Sequence, residues 1–149
     1  MNDHSASLLE SQLVILARVG QLLARALDAP QTLREVLRTL EISGHLSRGL
    51  IAVAHPESGG LRVHAVRGLD HDDFQAVCYR VGEGLLGRIV ETGRPCAIAQ
   101  VGQDPCFLNR LGLYERELPF IAVPIRLGST LQGVLAVQPD APDDGLLDE

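Results

Sequence analysis

Val81-Gly82-Glu83-Gly84-Leu85-Leu86-Gly87-Arg88-Ile89-Val90-Glu91-Thr92-Gly93-Arg94-Pro95 carries the densest structural signal in the chain. Its first half is a glycine-spaced turn. Its second half is a short apolar helix, Gly84 to Thr92, stopped by Gly93 and Pro95. The turn matches the Gly-x-Gly-x-x-Gly spacing of dinucleotide sites, and Asp104 follows about 20 residues further on. Such a site needs a parallel βαβ unit, whereas this helix is only about eight residues long and its neighbours read as hairpins. What survives is modest: glycines allow close backbone approach, and the amides of Gly84 and Leu85 are placed to receive an anion.

Working outward, Ser7 to Ala29 reads as a helix with two adjoining apolar stripes. Leu9, Leu13, Leu16, Leu23 and Leu27 form one; Leu8, Ile15, Val19, Leu22 and Ala26 form the other. The combined arc is wider than one contact with a sheet requires. One half is therefore expected to pack on the domain and the other to meet a partner helix, with Leu9, Leu13, Leu16 and Leu23 as candidate dimer residues. Pro30 opens a second helix that runs to Gly44 with Leu33, Val36, Leu37 and Leu40 on its buried face. The period then changes to that of strands. Ser47–Ala54 and Leu61–Arg67 form a hairpin around Ser58-Gly59-Gly60. Asp72 to Cys78 is ambiguous between helix and strand, and Tyr79–Val81 is extended. A strand at Cys96–Ala99 follows the glycine helix, and Cys106 to Glu117 is expected to hold a turn of helix. A closing hairpin, Phe120–Leu127 with Gln132–Val137, carries Pro124, which demands a bulge or a sheet edge. The order predicts an α+β domain with a largely antiparallel sheet. Residues 1–44 supply the helices that pack on it, 45–138 the core, and 139–149 an acidic linker.

The chain has 149 residues, enough for one domain with a real core. Its net charge of −6 is concentrated at the end: Asp140, Asp143, Asp144, Asp148 and Glu149 leave 14 of the 19 acids against 13 bases, all arginine, in the rest. A near-neutral body offers no electrostatic footprint for nucleic acid, so direct nucleic-acid contact is not expected. No apolar run reaches the roughly 18 residues of a membrane span, and the start lacks a signal-peptide pattern, so a cytoplasmic location is expected.

Catalytic constellations are thin. The five histidines lack metal-ligand spacing, no serine lies in a Gly-x-Ser-x-Gly setting, and Cys78, Cys96 and Cys106 form no Cys-x-x-Cys pair. No metal and no cofactor is expected. Arg80, Arg88 and Arg110 stand out instead, because they flank the glycine helix and the Asp104-Pro105 loop, where guanidinium groups suit carboxylate recognition. The alternative is that each pairs with Glu83, Glu91 or Asp104 on a solvated surface.

The Val81–Pro95 stretch resembles the signature of GAF domains, and Asp104-Pro105-Cys106-Phe107-Leu108-Asn109-Arg110 resembles a segment typical of NifA-type, sigma-54-dependent activators of nitrogen-fixation genes. The paired strands Phe120–Ile125 and Gly133–Val137 are similar to those that close the fold. The resemblance implies a central six-stranded antiparallel sheet flanked by helices. The N-terminal helix and a truncated C-terminal helix near Leu146-Leu147 lie on one face. It further implies a sensor domain that controls an adjacent ATPase module, takes a small effector such as 2-oxoglutarate, meets a regulatory protein of the NifL or PII type, and forms a homodimer. The candidate ligand-binding residues are Arg80, Gly84, Leu85, Arg88, Asp104, Phe107, Asn109 and Arg110. Two other readings stay open: a ligand-free dimerisation and docking module, and a free methionine-(R)-sulfoxide reductase using Cys78 or Cys106. Against the reductase, Leu85-Leu86 stands where a cysteine is expected, and the chain has no Trp.

Overall fold

A computed structural model describes residues 2–24, 29–69, 74 and 77–140. Six strands form one antiparallel sheet in the order β3-β2-β1-β6-β5-β4. They are β1 (Arg48–Ala54), β2 (Leu61–Arg67), β3 (Cys78–Tyr79), β4 (Cys96–Ile98), β5 (Phe120–Leu127) and β6 (Thr130–Gln138). Helices α1 (Asn2–Leu23) and α2 (Pro30–Gly44) cover one face, and α3 (Gly84–Thr92) lies on the other. The expected α+β class, the six strands and the hairpins are therefore present.

Strand alternation divides the core in two. Ile51, Ile121, Val123, Ile125, Leu135 and Val137 point to α1 and α2 and pack on Leu16, Leu23, Leu33 and Leu37. Leu50, Ala52, Phe120, Ala122, Val134 and Ala136 point the other way, onto Leu85, Leu86 and Ile89 of α3. In β2 the parity slips: Leu61 and Val63 face α3, but Ala65 faces α2, because an irregularity opposite Ile51 and Ala52 inserts His64 as an extra residue. Pro124 sits in β5 beyond Ala122, where pairing with β4 has ended, so its missing N–H interrupts no ladder.

Three expectations are corrected. Helix α1 ends at Leu23, with Arg25–Asp28 and the ambiguous residues 70–73 and 75–76 outside the described residues, as are 141–149 with the expected C-terminal helix. The helical turn expected within Cys106–Glu117 lies earlier, at Val101–Gln103, and the later segment is built of turns. The candidate dimer residues of α1 also turn inward. Leu16 and Leu23 are buried against the sheet, and Leu9 and Leu13 pack beside them together with Val19 of the second stripe. The exposed large apolar residues of α1, among the described side chains, are Val14, Ile15 and Leu22 (52%, 60% and 74% exposed). Helical periodicity defines the two stripes but not which one the sheet takes.

The assignment is testable by chemical denaturation. Leu16→Ala should cost about 2–4 kcal/mol through transfer and cavity terms, whereas Leu22→Ala should leave the stability of the dilute chain within about 0.5 kcal/mol. Comparable losses for the two would contradict this orientation of α1, and a larger loss for Leu22→Ala would invert it.

Candidate functional site

The glycine turn explains itself geometrically. Gly82 and Gly84 hold φ of 81° and 68°, a left-handed conformation that side-chain-bearing residues rarely adopt. Gly82 donates to the Gly87 carbonyl at 2.8 Å and Gly87 donates to the Glu83 carbonyl at 3.0 Å, so the turn closes on itself as the helix begins. A Cβ at Gly87 would stand 2.3 Å from the Arg80 carbonyl oxygen, which no real contact allows. Glu83 is the N-cap residue of α3, yet its carboxylate does not cap the helix. It turns back instead, accepting from the Arg80 amide at 3.0 Å and pairing with Arg110 at 2.9 Å. The Arg80 amide and then the Arg110 guanidinium hold its carboxyl below the ordinary glutamate range, so the pair is charged at neutral pH.

Arg110 belongs to the segment after the 3-10 turn, and it reaches 32 residues back along the chain to β3. There it donates to the Cys78 carbonyl and lies over the Tyr79 ring, 5.0 Å from the centroid. This whole segment is fastened. Asp104 accepts from the Cys106 amide at 2.8 Å and from Arg88 at 3.3 Å. The Asn109 side-chain amide both donates to and accepts from the Tyr114 backbone, at 2.9 and 3.1 Å. Tyr114 is buried, meets Phe120 edge to face at 5.0 Å, and donates its hydroxyl to the Ala136 carbonyl at 2.8 Å. The fully buried Gln138 accepts from the Glu115 amide at 2.9 Å and donates to the Glu115 carbonyl at 2.7 Å.

The candidate residues therefore separate. Arg80 and Arg110 line one cavity of about 930 Å³ at the β3 edge of the sheet. Its size suits a small metabolite. Arg88 lies outside it, paired with Asp104. Phe107 packs edge-on to Phe120 and Asn109 closes its turn, and neither is among the residues that line this cavity. The Leu85 side chain is core, and Leu108 covers Gly84. The surface-pairing alternative holds for Arg88 and, in part, for Arg110. The sequence reading missed Arg62 and Glu83 as lining residues. Arg62 stands opposite Cys78 in the β2–β3 pairing, and its outward place in the alternation of β2 was the available signal. The described lining thus includes three arginines, Arg62, Arg80 and Arg110, and a single acid, Glu83, with Arg110 paired to it.

The thiols do not converge. Cys78 lies in β3 and Cys96 in β4, which are opposite edges of the sheet. Cys78 and Cys106 are exposed; burial raises the half-buried Cys96 thiol above its ordinary pKa. Among the described residues no group of three metal-ligating side chains forms, and no helix is long and apolar enough to cross a membrane. The antiparallel sheet also removes the βαβ setting that a dinucleotide site needs.

Residues 26–148 match the GAF domain family model, and the chain belongs to that family. It is 38% identical over 151 residues to the Nif-specific regulatory protein of Azotobacter vinelandii, a match covering 95% of this chain and 28% of that protein. The chain thus spans little more than a quarter of that regulator. Among solved structures it is similar to the A. aeolicus nlh2 GAF domain in an inactive state, with a TM-score of 0.68, 24% identity, and coverage of 94% of this chain and 87% of that one. The free methionine-R-sulfoxide reductase of Neisseria meningitidis shares the fold at a TM-score of 0.62 and 16% identity, over 76% of this chain and 64% of that one.

Asn109→Ala should cost about 1–3 kcal/mol in denaturation, because it leaves buried backbone groups of the turn unpaired. Alkylation by iodoacetamide followed by mass spectrometry should label Cys78 and Cys106 well before Cys96. Equal labelling would contradict the burial of Cys96.

Proposed function

We propose that this GAF domain is the sensor domain of a transcriptional activator of nitrogen-fixation genes, and that it takes a small dianion of the 2-oxoglutarate type in the β3-edge cavity to control an attached ATPase module. The observation that carries the reading is the lining of that cavity, where Arg62, Arg80 and Arg110 outnumber Glu83. Planar guanidinium groups bind carboxylates through paired N–H donors, and three of them beside one acid leave room for two negative charges. The similarity to Nif-specific regulatory proteins supplies the regulatory context. Arg110 gives occupancy a route outward, since it sits on the fastened 104–118 segment while contacting β3 and the start of α3.

The second reading concerns partners. The exposed stripe Val14, Ile15 and Leu22 on α1 favours a contact surface, either for a second copy of the chain or for a regulatory protein of the NifL or PII type. The two readings are compatible, because the stripe and the cavity occupy different parts of the domain.

A thermal-shift series tests the effector. A dianion at 100 times its dissociation constant should stabilise the domain by about 2.7 kcal/mol, read as a rise in melting temperature with 2-oxoglutarate. Replacing Arg80 and Arg110 together by Gln should abolish the rise, and Arg88→Gln should preserve it. No rise with any small dicarboxylate at millimolar concentration would remove the effector reading. Light scattering that shows a strict monomer at high concentration would remove the homodimer.

A further inference from the structure

We propose that Glu83 is a built-in competitor for the effector, a carboxylate of the chain itself that occupies Arg110 until an external carboxylate displaces it. The inference rests on the proposed anion site and adds the residue that sets its affinity.

Four observations carry it. Glu83 is the one acid among the described residues lining the cavity, and its carboxylate lies on Arg110 at 2.9 Å, in the position a ligand carboxylate would take. As the N-cap residue of α3, it stands at the position from which a side chain can cap the helix, yet it makes no such bond and is turned toward the arginine instead. Both partners are about one-third exposed, Arg110 at 37% and Glu83 at 32%. A pair that open to water is weak and exchanges readily with a solute. Finally, Arg110 does not depend on Glu83 for its place. The Cys78 carbonyl accepts from it and the Tyr79 ring lies beneath it, so the guanidinium stays organised when the carboxylate leaves.

An arriving dianion then exchanges one carboxylate for another on Arg110, and its second charge meets Arg62 and Arg80. The gain that drives the exchange comes from that second charge, so a monocarboxylate competes poorly with Glu83. Displacement also frees the only ion pair, among the described residues, that joins the start of α3 to the 104–118 segment at this end. Occupancy is thereby converted into a loosened tie between two elements.

Isothermal titration of the 149-residue chain with 2-oxoglutarate, and separately with inorganic phosphate, tests the competitor. Glu83→Gln keeps an acceptor for the Arg80 amide but removes the charge, and should tighten binding about fivefold, while Arg110→Gln should abolish it. Glu83→Asp, which keeps the charge but draws it back from Arg110, should tighten binding to a smaller degree and covers the case in which Glu83→Gln misfolds. If the wild type binds and both Glu83 variants bind equally or more weakly, the competitor role is overturned while the anion site stands. If neither the wild type nor Glu83→Gln binds either probe at millimolar concentration, the anion site and the competitor fall together.

Discussion

The contact between Gly87 and the Arg80 carbonyl is the constraint from which the rest of the site follows. With no side chain at position 87, the chain doubles back within one turn of entering α3, and the Gly82 amide reaches the Gly87 carbonyl. That tight reversal brings the edge strand β3 and the start of α3 side by side. It presents Arg80 and Glu83 on the same rim, and it lowers Leu85, Leu86 and Ile89 onto the sheet. A methyl group at position 87 would separate all three at once. The glycine spacing that looks like a nucleotide motif is therefore a packing device.

Antiparallel topology decides where that site can be. Strands β1, β6 and β5 are buried on both faces, and the α1–α2 layer closes one side entirely. The other face is filled by α3 and by the Tyr114, Phe107 and Phe120 cluster. Of the two sheet edges, the one that lines the cavity is β3, two residues long and flanked by the β1–β2 turn. Edge strands present unpaired backbone groups, and charge is one way proteins protect them. Here the protecting charges are arginines, and the anion site proposed above uses the same groups. The 104–118 segment then contributes Arg110 from a distance, held in place by Asn109, Tyr114 and Gln138.

Much of the fold was legible in the sequence because it rests on local rules. Gly84–Thr92 was readable as a helix from its Gly93 stop, and both hairpins from alternation and turn residues. The site was legible only in part. Arg80 and Arg110 stand out as arginines near apolar segments, but the partner of Arg110 lies 27 residues earlier, at Glu83, and no periodicity encodes that choice. Arg88 looked equivalent to them, yet the orientation of α3 directs it to Asp104 instead. Asn109 and Phe107 drew notice through the resemblance, and the structure gives them the work of holding a loop. Gln138 and Tyr114 escaped notice because a polar group at a strand end or in a loop signals burial only once its partners are in place. The inward turn of the candidate dimer residues on α1 has the same origin: a wide apolar arc satisfies one helical period, and packing alone selects the part that is buried.

The proposed location of the anion site at the β3 edge is tested by titrating the ¹⁵N-labelled chain with 2-oxoglutarate and following its amide chemical shifts. The largest changes should fall on Arg62, on Cys78 through Glu83, and on Arg110, with Arg88, Cys96 and Asp104 little moved. Changes concentrated at Arg88, Cys96 and Asp104, or shifts spread evenly with no focus at the edge strand, would contradict it.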